Sequence, residues 1–537
     1  MRFRGRQLGG HRARIGGLLL ALGLSVGFGC GPATAPTPHP PGPSDLPGTL
    51  ARAEENRGAL ETVLRHYRER GDSLKLRAAR FLIRNMADHG YTVFGLYDSA
   101  GVEIELDVLA FPDYETLRTA LDSIEASRGE IDYQRKQQFD DVDVITADLL
   151  IEQIDLAFTA WQGKPWARHL TFEQFCDYVL PYRGSGEPLE RWRGFFLTRY
   201  ADLPERMEDP TDPVEAARLI NDDLRAWFKF DPRFYLHPTD QGLAEMVTNR
   251  MGRCEDMTNL TIYAMRANGL GVTSDYTPYW ADAGNNHAWN AILDRDGRVV
   301  MFMGAEAQPG EYRLSNRVAK VYRKMFAQQP GNLVFQKPPE EDVPRWLGGK
   351  SYIDVTSDYT GVADLVMPLE EPVPEGVHFA YVCVFNDGQW KAIDWAPIEG
   401  QQARFHDLGT NLVYLPAYYA GGEILPAAPA LILEPGGTFR RLLPHHHAPI
   451  SFPIYSTTQR RQVESSDGVR QVFLEEDREY ELFYWEEGWV SMGTQVCFGE
   501  PLRFNRVPSG ALYWLVARDS RREERIFTLD EGQQVWW

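Results

Sequence analysis

The sequence has little cysteine, and its cysteines are widely scattered. Its 537 residues include five Cys, at positions 30, 176, 254, 383 and 497, and none of them form a CxxC pair. This odd and dispersed set argues against a disulfide framework and against a zinc cluster. The run His445–His447 is adjacent in sequence, but neighbouring side chains of an extended chain point to alternate sides. We therefore predict no metal site and no cofactor.

Positive charge is also scarce. The chain has 56 Lys and Arg against 76 Asp and Glu, a formal net charge of −20. No basic stripe is available to neutralise phosphates, which argues against a nucleic-acid partner. Apolar residues make up 43% and aromatic residues 12% of the chain, which is ample for packed cores. The length predicts about three to four domains.

The apolar run near the N-terminus is short. Gly16 to Phe28 follows five arginines and is too short for a stable membrane-spanning helix. We interpret residues 1–30 as a signal peptide. Because the run ends at Gly29-Cys30, it resembles a bacterial lipoprotein signal, which implies acylation of Cys30 and a membrane anchor in the cell envelope. The alternative is an ordinary secretory signal cut nearby, and either signal exports the chain.

A Pro-rich segment and a helical region follow. Residues 31–47 are expected to form an extended spacer. Helical spacing of apolar residues, for example at Leu60, Val63 and Leu64, predicts a mostly helical N-terminal lobe over 48–212. Trp192 and the arginines around it either pack inside this lobe or line a cleft above Cys254.

The most informative stretch begins at Cys254. Gly252 allows a tight turn, acidic residues follow the cysteine, and Asn268-Gly269 is a helix stop. Cys254 is therefore expected at a helix N-terminus. There the helix dipole would lower the thiol pKa, and the backbone N–H could donate to an oxyanion.

Two strands are predicted after this helix. Leu270 to Trp280 is one, and His287 to Leu293 is the next, followed by the hairpin dipeptide Asp296-Gly297. A two-residue loop there would place His287 directly opposite Glu306, whereas a register shift of one residue would put them on opposite faces. Glu306 is thus the preferred acid to orient His287, with two further acids left open, Asp275 and Asp282.

The ordered set of motifs resembles a known family. Gly-x-Cys-x-Asp around Cys254, His-Ala-Trp at His287 and an acid past a hairpin at Glu306 are similar to the transglutaminase-like core. The resemblance covers roughly 215–325, and Tyr182-Arg183 extends it weakly upstream. It implies a papain-like arrangement in which Cys254 is the nucleophile, His287 the base and Glu306 the orienting acid, although the family acid is usually Asp. We assign this core to residues 213–330.

Other polar and aromatic residues could complete the site. Gln241 and Asn249 precede the nucleophile and could supply an oxyanion donor, or could be ordinary surface polar groups. Trp280 and Trp289 flank His287 and could contact substrate, although core packing is an equally good interpretation.

The last third of the chain has the pattern of short alternating strands and turns, and it contains a repeat. Trp390, Phe405 and Tyr414 recur 99 residues later as Trp489, Phe504 and Tyr513. Two β-sandwich modules are predicted, over 350–440 and 441–537. The repeated aromatics are expected in the cores, with glycan stacking as the alternative. The terminal Trp536 and Trp537 are expected to dock on a domain.

Together these observations predict an exported α+β protein. The expected chemistry is cysteine-dependent acyl transfer on a peptide or protein amide, either hydrolysis or transfer to an amine. The alternative is a catalytically inactive surface protein that binds glycan or protein through its β-sandwich modules.

Overall fold

The computed structural model describes residues 42–459, 472–518, 520 and 524–537. The predicted signal peptide, Cys30 and most of the Pro-rich spacer lie outside the described residues. Among those described, no helix is both long and apolar enough to cross a membrane. Helices dominate the N-terminal part and antiparallel strands the C-terminal part, so the α+β prediction is confirmed.

The N-terminal lobe contains amphipathic helices that bury their apolar faces against one another. Leu60, Val63 and Leu64, predicted from spacing, are buried in α2. The helices of the lobe are α1 (Leu46–Arg52), α2 (Arg57–Glu69), α3 (Ser73–Asn85), α4 (Tyr114–Arg128), α5 (Asp141–Val144), α6 (Ala147–Gly163), α7 (Phe172–Tyr178), α8 (Trp192–Arg199) and α9 (Leu203–Arg206).

The lobe also carries a small sheet that the sequence pattern does not predict. Its strands are β1 (Gly90–Tyr97), β2 (Glu103–Ile104) and β3 (Asp132–Asp140), in the order β2-β1-β3. β3 is polar and exposed along its middle, so it lacks the apolar alternation that predicts a strand. The sheet and α4 pack on Phe234 and Leu236, which belong to a 3₁₀ turn at Pro232–Leu236.

The core consists of one buried helix on a five-stranded antiparallel sheet of order β10-β9-β6-β7-β8. The helix α12 is buried along its length from Asp256 to Ala267. The elements are α10 (Pro213–Trp227), α11 (Leu243–Asn249), α12 (Cys254–Ala267), β4 (Lys229–Phe230), β5 (Met251–Gly252), β6 (Val272–Thr277), β7 (His287–Leu293), β8 (Val299–Phe302), β9 (Tyr322–Lys324), α13 (Leu333–Gln336) and β10 (Tyr352–Asp354).

Trp192 belongs to the interior of this core. Its ring stacks on Tyr263 of α12 with centroids 4.8 Å apart, and only 1% of the residue is exposed. Arg193 is buried beside it and donates hydrogen bonds to the carbonyl oxygens of Val179, Leu180 and Pro181. These residues therefore hold α8 against α12 and do not line an open cleft.

The predicted register of the β7–β8 hairpin is wrong by one residue. Asn290 pairs with Phe302 and Leu293 with Val299. The hairpin closes where the N–H of Asp294 donates to the carbonyl of Arg298, which gives a loop longer than the Asp-Gly dipeptide alone. A one-residue shift moves side chains to the other face of a strand, so Glu306 does not lie opposite His287.

The C-terminal part contains antiparallel strands in two larger sheets and one two-stranded sheet. The larger sheets have the orders β11-β14-β13-β12-β15-β17-β18, with β16 on β15, and β21-β20-β23-β24-β25, while β19 pairs with β22. The strands are β11 (Val362–Pro368), β12 (Phe379–Asn386), β13 (Gln389–Glu399), β14 (Gln402–Gly409), β15 (Leu412–Ala420), β16 (Glu423–Pro426), β17 (Leu431–Leu433), β18 (Phe439–Arg441), β19 (His445–Ile454), β20 (Glu479–Trp485), β21 (Trp489–Val496), β22 (Leu502–Ser509), β23 (Tyr513–Ala517), β24 (Ile526–Asp530) and β25 (Gln533–Trp536).

The repeat read from the sequence has a repeated hydrogen bond in the structure. The hydroxyl of Tyr414 donates to the carbonyl of Gly409 at 2.8 Å, and the hydroxyl of Tyr513 donates to the carbonyl of Pro508 at 2.5 Å. Both bonds span five residues and lie at the same 99-residue offset as the repeat. Both rings are fully buried, so each pair pins the connection between consecutive strands.

The repeated tryptophans lie where the two modules meet. Trp390 packs on Trp485 with centroids 5.3 Å apart, and Trp489 packs on Trp485 at 5.0 Å. Trp390 is 9% exposed, so its ring offers no face for a sugar to stack on. The terminal Trp537 is docked, because its indole N–H donates to Thr528.

Candidate active site

Cys254 is the first residue of α12. The carboxylate of Asp256 accepts the backbone N–H groups of Arg253 and Gln241, at 2.8 and 3.2 Å, and so holds the start of the helix. Gly252 is required for this approach, since an added Cβ would lie 2.6 Å from Cβ of Asp256. The predicted position of the thiol at a helix N-terminus is therefore observed.

The sulfur of Cys254 has two hydrogen-bond partners. The backbone of Ala288, next to His287, hydrogen-bonds the sulfur and favours the thiolate. The hydroxyl of Tyr235, from the 3₁₀ turn, makes the second bond to the sulfur. The first contact joins the start of α12 to the residue that follows His287 in β7.

The thiol pKa is raised, contrary to the prediction from the helix dipole. Burial is the main cause, the charge of Glu255 adds to it, and together they raise the pKa of Cys254 to about 11. The nearby Arg253 guanidinium acts in the opposite direction but is outweighed. The side chain of Cys254 is therefore a neutral thiol at neutral pH.

The imidazole of His287 has three aromatic neighbours, of which Trp289 lies with its ring centroid 5.8 Å away. Trp280 stacks on the imidazole with centroids 5.7 Å apart and planes 24° apart. Nε2 of His287 lies 2.6 Å from the hydroxyl of Tyr312. Burial lowers the pKa of His287 to about 4, so the ring is neutral at neutral pH. Because Nε2 is engaged by Tyr312, the ring nitrogen left for the thiol proton is Nδ1.

Glu306 lies in a tight turn beyond β8. Ala305 has a left-handed φ of 56°, and the turn is tied down by Asn221 of α10, which accepts the N–H of Ala305 and donates to the carbonyl of Ala307. Glu306 itself is exposed. Within the described part of the chain it makes no hydrogen bond or ion pair with His287, so its predicted orienting role stays a prediction.

Tyr312 makes the hydrogen bond to His287 that was expected from an orienting acid. Burial, followed by the charges of Glu306 and Cys254, raises the pKa of Tyr312 to about 12, so the phenol is neutral. Sequence reasoning missed this residue. A tyrosine in a loop after Pro309-Gly310 has no periodicity or motif to single it out, and only its contact with His287 identifies it.

The two alternative acids have other partners. Asp275 is fully buried and forms a two-pronged ion pair with Arg323 at 2.8 and 2.7 Å, and it also accepts the hydroxyl of Tyr359. Asp282 accepts the backbone N–H of Arg317. These carboxylates organise the sheet and the loop around the site.

The predicted oxyanion and substrate residues are mostly structural. Nε2 of Gln241 donates to the carbonyl of Met251, and Nδ2 of Asn249 donates to the side-chain oxygen of Gln241. Both amides therefore fasten the loop before Cys254. Trp289 is fully buried and meets Tyr359 edge to face, so it does not reach a substrate.

A cavity of about 370 Å³ lies beside this site. Its lining includes Lys324 and Tyr276 but not Cys254, His287 or Tyr312. Lys324 pairs with Glu255, and this cation outweighs burial and holds the pKa of Glu255 below its usual value. No cluster of three or more potential metal ligands occurs in the portion of the chain that the structure covers.

A site with a thiol at a helix N-terminus, hydrogen-bonded to the strand that begins with a histidine, contains the residue types that cysteine acyl transfer requires. Residues 201–302 match the family model of the transglutaminase-like superfamily. The chain thus contains a transglutaminase-like domain, and the resemblance read from the sequence is confirmed. That superfamily is of the cysteine-dependent hydrolase and acyltransferase type. A comparison with curated proteins finds no match.

Proposed function

We propose that this protein is an exported enzyme, anchored by an acylated Cys30, that uses Cys254 to cleave or transfer peptide or protein amides. The observation that carries the proposal is the hydrogen bond between the Cys254 sulfur and the backbone of Ala288, which links the thiol to the residue that follows His287. The transglutaminase-like domain supports this chemistry, and the N-terminal sequence supports export.

The pKa shifts favour general-base activation over a preformed ion pair. Since Cys254 and His287 are both neutral at rest, the thiol proton moves to Nδ1 of His287 as sulfur bonds to the amide carbon. This requires the tautomer in which Nε2–H donates to Tyr312. Tyr312 is therefore expected to take the orienting role.

The remaining steps balance around the same two residues. The tetrahedral intermediate collapses with cleavage of the C–N bond, and the imidazolium returns its proton to the leaving amine, leaving a thioester on Cys254. The backbone N–H of Cys254 and the hydroxyl of Tyr235 are the candidate oxyanion donors. Water or an amine then attacks the thioester, and hydrolysis is favoured because water is in excess at a cell surface.

The test is acylation of Cys254 by p-nitrophenyl acetate, a general acyl donor. We expect a burst of p-nitrophenolate and an acetyl group on the Cys254 peptide that hydroxylamine removes, both absent in Cys254→Ala. His287→Ala is expected to lower the acylation rate by about 10²–10⁴-fold, the usual contribution of a general base. Acylation that is equally fast in His287→Ala would contradict the proposal.

Tyr312→Phe and Glu306→Gln separate the two candidates for the orienting role. Loss of the Tyr312 hydroxyl should slow acylation by at least about tenfold, because the imidazole loses its hydrogen-bonded partner. Glu306→Gln should change the rate less than threefold, roughly 0.6 kcal/mol of activation free energy. The reverse order of effects would return the role to Glu306.

A further inference from the structure

The loop that leads into His287 is held by side chains from the C-terminal β modules. This loop, residues 278–286, connects β6 to β7 and carries Trp280, whose ring stacks on the imidazole of His287. Within the loop, the N–H of Trp280 donates to the carbonyl of Asn285 at 3.2 Å. The hydroxyl of Thr277 in β6 donates to the carbonyl of Tyr279, while the carbonyls of Trp280, Ala281, Ala283 and Asn285 accept from side chains outside the core.

Asn386, at the end of β12, supplies one set of donors. Its amide nitrogen lies 3.0 Å from the carbonyl oxygen of Trp280, 2.8 Å from that of Ala283 and 3.0 Å from that of Asn285. An amide has two N–H groups, so one of them is shared between two acceptors. Asn386 is 2% exposed and Trp280 is 6% exposed, so loss of this donor would take a hydrogen bond from a buried carbonyl, that of Trp280.

Arg525, which precedes β24, supplies a second anchor. Its guanidinium donates to the carbonyl of Ala281 at 2.8 Å, to that of Phe385 at 2.9 Å and to that of Trp537 at 3.1 Å. It is 5% exposed. One buried side chain therefore ties the loop before His287 to the first module and to the C-terminal residue of the second.

The second module has a different residue at the place of Asn386. Phe385-Asn386-Asp387-Gly388 aligns with Trp485-Glu486-Glu487-Gly488, so the second module has Glu486 at the equivalent place. The side chain of Glu486 is 44% exposed and pairs with His446 at 3.0 Å. At this position the first module therefore has an asparagine that bonds the loop of the core, and the second module has a glutamate that pairs with its own His446.

We propose that Asn386 and Arg525 are positioning residues for His287, and that the two β modules act as a brace for the base of the active site. The proposal rests on the proposed function of Cys254 and His287. The brace fixes the carbonyl of Trp280 and those of Ala281, Ala283 and Asn285 after it, and Trp280 in turn fixes the ring plane of His287. Misplacement of a catalytic group by about 1 Å can cost on the order of 10²-fold in rate.

The experiment compares Asn386→Ala and Arg525→Lys with wild type in the full chain. The control is Tyr418→Phe, which removes a hydrogen bond of the first module, to the carbonyl of Glu371, without touching the loop. Hydrogen–deuterium exchange of residues 278–290 is measured first, because it needs no activity. The pH dependence of Cys254 acylation by p-nitrophenyl acetate is measured second.

Both brace variants should raise exchange in the loop by at least about tenfold and lower acylation by about 10–100-fold. The acidic limb of the pH profile should move upward from about 4 toward 6.5, since a loosened loop exposes His287 to water. The Tyr418→Phe control should change neither readout. Arg525→Lys keeps the positive charge, and it provides the test of the brace if Asn386→Ala does not fold.

Unchanged exchange in the loop would overturn the brace, and so would faster exchange with an unchanged acylation profile. Failure of the proposed function gives a different result. In that case wild type shows no acylation that His287→Ala diminishes, and the exchange measurement alone then decides whether the modules hold the loop.

Discussion

The core and the C-terminal modules are stabilised in different ways. Around β6 and β9 the core buries a charged pair, Arg323 and Asp275, whose side chains are 5% and 0% exposed. The interiors of the C-terminal sheets are mainly apolar, and Tyr414 and Tyr513 each make one copy of a repeated hydrogen bond. Charged pairs and bidentate bonds are directional, whereas apolar burial is not.

This difference matches the roles proposed for the core, which would hold the catalytic residues, and for the modules, which would brace the loop 278–286. A catalytic site needs side chains held to within fractions of an ångström, which directional bonds provide. The proposed brace needs a stable body and a few exact contacts, such as those that Asn386 and Arg525 make with the loop 278–286. The strands and apolar interiors of the two modules can therefore stay similar, while the residues that contact the loop 278–286 differ between them.

The largest expected effect is on the buried pair of the core. Asp275→Asn leaves the Arg323 guanidinium without its counter-charge and should cost about 3–5 kcal/mol of local stability. Asp358→Asn is the matched control, because Asp358 is 44% exposed and lies 3.6 Å from the same guanidinium. It should cost less than about 1 kcal/mol. Hydrogen exchange of β6 and β9 in urea measures both, and equal losses would refute the comparison.

The next effect is the pH dependence of stability through His287. Its folded pKa of about 4 lies below the ordinary value of 6.5, so the unfolded chain binds the proton first as the pH falls. The free energy of unfolding should therefore decrease between pH 6.5 and 4, by about 3 kcal/mol in total. His287→Gln should lack this decrease. Identical pH profiles in the two proteins would contradict the burial of the imidazole.

A smaller effect tests the repeat in the modules. Tyr414→Phe and Tyr513→Phe each remove one buried hydroxyl and leave a carbonyl acceptor unpaired. Each should lower the stability of its own module by about 0.5–1.5 kcal/mol, the net value of one hydrogen bond. Hydrogen exchange of β15 and β23 reports the two modules separately. If the two substitutions lower module stability by amounts that differ more than twofold, the two repeated hydrogen bonds are not energetically equivalent.

The smallest effect is expected at the exposed pair of the second module. His446 and Glu486 have side chains that are 49% and 44% exposed. Glu486→Gln should therefore cost no more than about 0.2–1 kcal/mol, and acylation of Cys254 should be unchanged. This contrasts with Asn386→Ala at the equivalent place of the first module. A loss of activity in Glu486→Gln would remove the distinction between the modules.

Sequence patterns predicted the elements of the site better than their mutual placement. The strand from His287 to Leu293 has the predicted bounds, and Cys254 begins its helix as expected. The register after Asp296-Gly297 was wrong because the hairpin dipeptide does not determine how many residues close the loop. The exposed small sheet of β1–β3 was missed because β3 has no apolar alternation to reveal it.

The sequence by itself determined the α+β class, the transglutaminase-like motifs and the 99-residue repeat, since these depend on local spacing along the chain. Only the tertiary structure decided that Tyr312 bonds His287, that burial raises the thiol pKa of Cys254, and that Asn386 holds the loop before the base. Those properties depend on which distant residues meet and how much water they exclude, and neither quantity is encoded in a local pattern.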